Sequence, residues 1–148
     1  MRLIPYEKKY LNIINDIYGH TIVNKFTNNG IYFFYSILAI FKSNLYMYVN
    51  NSNEVIGLGC IIRKLNLKSF KRETWISGIN ICPAYRRQGH ATKMMLMMIN
   101  ECRIKNYNNL QLYVERNNIS ACRLYERLGF YYDTVNKKAN YYKMVKTI

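Results

Sequence analysis

The sequence predicts an α/β domain, and three observations lead there. In its first part, short apolar runs are separated by turn-rich stretches, as in hairpins. After Pro83 the pattern alternates helix, strand, helix, strand, as in a crossover-connected sheet. With 148 residues, half of them apolar, the chain can bury a core of its own. No internal repeat and no Pro-, Gly- or Ser-rich linker divides it, so residues 1–148 read as a single domain.

The elements follow in order from periodicity and punctuation. Tyr6 to Tyr18 places Tyr10, Ile13, Ile14 and Ile17 at helical spacing. Ile31 to Phe41 is too long for a typical strand and reads as a second, buried helix. It is also well short of the roughly 18 apolar residues that a bilayer span requires. Leu45 to Val49 and Val55 to Ile62 flank the turn-rich Asn50-Asn51-Ser52-Asn53-Glu54 and read as a hairpin. Trp75 to Cys82 is a further strand, stopped by Pro83. A helix from about Arg87 to Lys105 follows, with Met94, Met95, Met98 and Cys102 on one inward stripe. Leu110 to Glu115 is a strand, about Asn118 to Leu128 a helix, and Phe130 to Asp133 and Asn140 to Thr147 close the sheet.

Charge is lopsided: 22 Lys and Arg against 8 Asp and Glu give a net +14. Two readings are open, an anionic partner (nucleic acid, an acidic surface, a phosphorylated cofactor) or a Lys-, Asn-, Ile- and Tyr-rich genome. Arg63, Lys64, Lys68, Lys71 and Arg72 cluster between two strands, either as a solvated hairpin tip or as a docking surface for an acidic partner. Cys60, Cys82, Cys102 and Cys122 form no C-x-x-C pair, and only His20 and His90 could join them. That speaks against a disulfide scaffold and against a metal site. Met1 to Tyr10 does not resemble a signal peptide, so the expectation is a soluble, cytoplasmic protein without a membrane partner.

Chemistry concentrates in two blocks. Ile79-Asn80-Ile81-Cys82-Pro83-Ala84-Tyr85-Arg86-Arg87-Gln88-Gly89-His90-Ala91-Thr92 ends a strand and opens a helix on residues with little side chain. Open N–H groups at a helix start, with Arg86 and Arg87 beside them, suit a phosphate or pyrophosphate. The spacing is neither that of a P-loop nor that of a three-glycine dinucleotide loop. In the second block Asn118 can cap a helix, Ala121, Leu124 and Leu128 give it a buried stripe, and Gly129 stops it.

Together the blocks resemble the GNAT superfamily of N-acetyltransferases. Arg86-Arg87-Gln88-Gly89-His90-Ala91 is similar to the family's acetyl-CoA loop, Gln/Arg-x-x-Gly-x-Gly/Ala. Asn118-x-x-Ala121-x-x-Leu124-Tyr125-Glu126-Arg127-Leu128-Gly129-Phe130 is similar to its downstream signature. The resemblance is specific from about Trp75 to Asp133; earlier residues fit by element order, strand-helix-helix-hairpin. It implies a mixed central sheet of six to seven strands flanked by about four helices, splayed between the fourth and fifth strands. It further implies an acyltransferase that moves an acetyl group from acetyl-CoA to a primary amine in a ternary complex. Ile79, Asn80 and Ile81 would present backbone groups to the acetyl-pantetheine. Arg86, Arg87, Gln88, Gly89, His90 and Ala91 would hold the pyrophosphate, with the His90 ring over the phosphates and the cofactor-binding Thr92 at the start of the helix, and Asn118 would meet the cofactor arm. Tyr125 would face the sulfur as catalytic proton donor.

One departure stands out. The positions where relatives carry a base on the fourth or fifth strand align here with Trp75 and Tyr113, while Glu73 and Glu115 lie off register and read as solvated strand ends. With no carboxylate base, an amine of low pKa, such as an α-amino group, is the easier acceptor. The missing base and the charge also leave a second reading: a catalytically silent module of the same fold that binds nucleic acid or an acidic protein.

Overall fold

The computed structural model describes residues 1–7, 45–67, 69–133 and 140–148. The helices expected at Tyr6 to Tyr18 and Ile31 to Phe41, His20 and Lys68 fall wholly or largely outside them. The described residues form a seven-stranded sheet with β1 (Arg2–Pro5), β2 (Leu45–Val49), β3 (Val55–Asn66), β4 (Lys71–Ile81), β5 (Asn109–Glu115), β6 (Tyr131–Tyr132) and β7 (Tyr141–Thr147). Its spatial order is β1-β2-β3-β4-β5-β7-β6. Among the paired neighbours only β4 and β5 are parallel, joined by a crossover through helix α1 (His90–Ile104); a second helix, α2 (Ile119–Arg127), links β5 to β6. A mixed α/β fold with an early hairpin and later crossovers is therefore observed, with two α-helices among the described residues against about four expected.

The core lies under α1 and α2. Met94, Met95, Met98 and Cys102 are fully buried, as their spacing predicts, against Ile61, Ile76, Leu110, Leu112 and Met144 of the sheet. A smaller cluster of Leu45, Met47, Val49, Val55 and Leu58 forms on β2 and β3. The first hairpin turns as its asparagines predict: the Asn50 Oδ1 accepts the N–H groups of Ser52 and Glu54, and Asn53 adopts φ 61°.

Two boundaries differ from expectation for physical reasons. The β3–β4 ladder continues past Ile62 and starts before Trp75, with Arg63↔Thr74, Lys64↔Glu73 and Leu65↔Arg72 paired. Most of the basic cluster is thus strand, with β3 running to Asn66 and β4 starting at Lys71. Helix α1 begins at His90 because Arg87 (φ 63°) and Gly89 (φ 80°) are both left-handed, which no helical residue can be.

The feature that shapes the site is where β4 leaves β5. The two pair only at Thr74↔Leu110 and Trp75↔Gln111. Beyond that point β5 stays paired with β7 to its end, and β4 stays with β3 to Gly57↔Ile81. Gly78 (φ 64°) lies within the register shift between β3 and β4, so β4 bulges where the splay opens. Close approach of β3 helps hold β4 in place. A Cβ on Gly57 would stand 2.9 Å from the Asn80 carbonyl oxygen, backbone that cannot swing aside. Gly57→Ala is expected to destabilise by about 1–3 kcal/mol, read as a lower urea midpoint at unchanged slope.

Candidate active site

The strand β4 ends at Ile81, and Pro83–Tyr85 forms one 3₁₀ turn with proline in its first positions, where a missing N–H costs nothing. The loop that follows is tied back at both ends. The Arg86 Nε donates to the Ile81 carbonyl at 2.8 Å and a terminal nitrogen lies 3.4 Å from the Asn80 Oδ1. The Arg87 guanidinium reaches the Ser120 Oγ of α2 at 3.4 Å, and the Gln88 Nε2 donates to the Ala84 carbonyl at 3.0 Å.

Gly89 caps α1 with no side-chain hydrogen bond, and the helix ladder starts only at the Lys93 N–H to the Gly89 carbonyl, 3.1 Å. The first-turn N–H groups at His90, Ala91 and Thr92 therefore point forward without helical acceptors. A Cβ built on Gly89 meets nothing within 4 Å, so the space in front of them is open. Uncapped donors at a positive helix end, with the Arg87 guanidinium beside them, can hold an anion and are called the anion cradle below; Arg86, expected to join it, is instead tied to β4. His90 contributes differently from expectation. Its ring is buried between Tyr48 and Tyr85, with Nδ1 3.5 Å from the Tyr48 hydroxyl, so it offers the cradle its backbone rather than its imidazole.

The remaining expected residues take clear positions. Ile79 is half-buried against the core and Ile81 buried, so their side chains anchor β4 while its backbone edge faces the splay. Asn118 caps α2, its Oδ1 accepting the Ala121 N–H at 3.1 Å, and its Nδ2 has no partner among the described residues. Tyr125 is 8% exposed, packed edge-on to Phe130. Burial, with a smaller contribution from Cys122, pushes its phenol up to about 12. It is thus protonated throughout the neutral range.

At the apex of the splay, Trp75 and Tyr113 stack with ring centres 4.9 Å apart, filling both positions where a base was sought. Glu73 is not the solvated strand end expected. It accepts from the Asn66 Nδ2 (2.7 Å) and the Trp75 Nε1 (3.0 Å). Burial raises its pKa, but these bonds, one with Gln111 and the charge of Lys143 outweigh it and hold the carboxyl below its ordinary value. A carboxylate so stabilised is a poor base and a good clamp for the indole. Sequence reading missed this network and the Gly78 bulge; an isolated glycine in a strand pattern was the available signal for the bulge.

Two curated relatives share parts of this chain. One is N-alpha-acetyltransferase 50 of Danio rerio, 28% identical over 92 residues, covering 62% of this chain and 54% of the relative. The other is a [ribosomal protein bS18]-alanine N-acetyltransferase of Haemophilus ducreyi, 33% identical over 72 residues, 49% of this chain and 48% of the relative. The chain thus spans about half the length of the curated relatives it matches. Among solved structures, the NatB acetyltransferase complex bound to CoA and MES superposes with a TM-score of 0.74 at 24% identity, covering 100% of this chain and 99% of that one, a likeness of fold. Residues 13–130 match the family model of the acetyltransferase (GNAT) family, and the chain belongs to that family.

Proposed function

We propose that this protein transfers an acetyl group from acetyl-CoA to a primary amine, with a preference for an α-amino group. The observation that carries the reading is the uncapped start of α1 at the mouth of the β4–β5 splay, an anion cradle beside an open strand edge. These residues fit the substrate. The N–H groups of His90 to Thr92, with Arg87, hold the pyrophosphate; Arg86, bonded to β4, fixes the loop's exit from the strand. The β4 edge from Ile79 to Ile81 aligns the pantetheine arm and polarises the carbonyl. Asn118 steadies the arm through Nδ2.

Acetyl-CoA supplies the activated acetyl thioester: the amine nitrogen forms the new bond to carbon, the carbon–sulfur bond breaks, and the amine's proton ends on the CoA sulfur. Tyr125 is the catalytic proton donor. Full transfer from a phenol near 12 to a thiolate of reference pKa near ~8.5 runs uphill. The O–H therefore supports the departing sulfur, and the proton it yields is replaced by the amine's own. No phenolate then has to stand alone. The names of the two curated relatives, an N-alpha-acetyltransferase and an alanine N-acetyltransferase, support an α-amino acceptor. So does the absence, among the described residues, of a carboxylate other than the clamped Glu73 at the Trp75–Tyr113 pair.

The test is melting with acetyl-CoA. At ~100 times its dissociation constant, the ligand should add about 2.7 kcal/mol, a rise of roughly 5–10 °C for a domain of this size. No shift at millimolar acetyl-CoA would remove the reading. A shift without release of free thiol over a panel of peptide and small amines would leave a silent binding module instead.

A further inference from the structure

The basic cluster that the proposed acetyl transfer does not use has a defined geometry. In the first half of β4, around Arg72 and Thr74, the latter seven residues or ~23 Å of strand from Ile81, a cleft of about 170 Å³ opens between the β3–β4 ladder and the turn that follows α1. Arg63, Arg72 and Thr74 line one side, and Asn106, Tyr107, Asn108 and Asn109 the other. No Asp or Glu is among the lining residues. The Arg63 guanidinium sits over the Tyr107 ring, 4.3 Å from its centre, a cation–π contact that holds it at the cleft. Arg72 makes no hydrogen bond or ion pair among the described residues. The Asn109 Oδ1 accepts from the Thr147 hydroxyl at 3.3 Å, so its amide nitrogen is the group left over. The end of α1 would repel an anion if its carbonyls were bare, but the N–H groups of Lys105, Asn106 and Tyr107 occupy those of Glu101, Arg103 and Cys102.

From this convergence we infer that the cleft between Arg63, Arg72 and residues 106–109 is a second anion site, built for a phosphate oxyanion and separate from the cradle at α1. Two guanidiniums and the amide groups of Asn106, Asn108 and Asn109 line one opening, and guanidiniums are the donors that phosphate oxygens take best. The volume, well above the ~10–15 Å³ that a single water requires, leaves room for one tetrahedral oxyanion with an open side. Such an opening admits either free phosphate or one phosphodiester of a longer chain.

The test follows backbone amide resonances while inorganic phosphate is titrated at constant ionic strength. Saturable shifts are expected at Asn106 to Asn109. Arg72→Gln, which loses no packing, should weaken binding about 10-fold or more, and adding Arg63→Gln should weaken it further. Arg123→Gln with Arg127→Gln removes two charges elsewhere and should leave affinity within twofold. A short single-stranded RNA that shifts the same amides at 100-fold lower concentration identifies the phosphodiester as the natural source; equal potency identifies free phosphate. The inference fails if no saturable shift occurs at 106–109, or if the control on α2 weakens binding as much as the arginines of the cleft. Acetyl transfer to a free peptide should not change in Arg72→Gln, which separates this site from the cofactor cradle.

Discussion

Tyr125→Phe is expected to lower kcat for acetyl transfer by about 10²-fold or more, the usual range for removing a positioned proton donor, with KM for acetyl-CoA within about threefold. The split follows from position. Tyr125 is buried in the common core, and its hydroxyl makes no hydrogen bond among the described residues. Phenylalanine keeps the ring's volume and its edge contact with Phe130, so fold and cofactor affinity have little to lose. What disappears is one O–H at the departing sulfur, a contact that strengthens as negative charge builds there. The pH profile adds a second readout. A phenol pushed up to about 12 puts no descending limb into the wild-type kcat profile below about pH 11. A variant with wild-type kcat would take the donor role away from Tyr125, whatever its effect on stability.

What the sequence revealed, and what it hid, divides along the range of the interactions involved. Helix α2 was legible because its determinants are local: Asn118 caps it through its own side chain, Leu124 of the expected stripe is buried with Ala121 and Leu128 half-buried against the core, and Gly129 at φ 81° ends it. The methionine stripe of α1 was legible for the same reason. The start of α1 was not, because Arg87 carries no signal of the left-handed conformation it adopts. The extension of the β3–β4 ladder was hidden by composition: Arg63, Lys64, Lys71 and Arg72 read, with Lys68, as a basic cluster between two strands. Cross-strand pairing, including Lys64 opposite Glu73, makes them strand. Glu73 shows the limit most clearly. Its partners come from β3, β4, β5 and β7, and only sheet register brings Asn66, Trp75, Gln111 and Lys143 to one carboxylate. No window of sequence contains that coincidence.

The choice of amine is where this network matters most. At pH 7 a peptide with a free α-amino terminus is expected to exceed its N-terminally blocked, lysine-bearing counterpart in kcat/KM by about 400-fold. Only a neutral amine can attack. Neutralising an α-amino group of pKa near ~7.8 costs about 1.1 kcal/mol at pH 7, and a lysine near ~10.4 about 4.6 kcal/mol. The difference is about 2.6 pH units, or some 400-fold in the reactive fraction. An enzyme with a free carboxylate at the apex could offset part of it, but Trp75 and Tyr113 fill that space and Glu73 is held ionised by its donors. The preference should therefore depend on pH in a defined way. For the α-amino peptide, log kcat/KM should rise with unit slope and level near pH 7.8. For the lysine peptide it should still be rising at pH 9.5, so the ratio narrows as pH increases. A ratio near one at pH 7, or one that does not change with pH, would mean that a group outside the Trp75–Tyr113–Glu73 cluster deprotonates the amine, and the acceptor preference would then rest on binding rather than acidity.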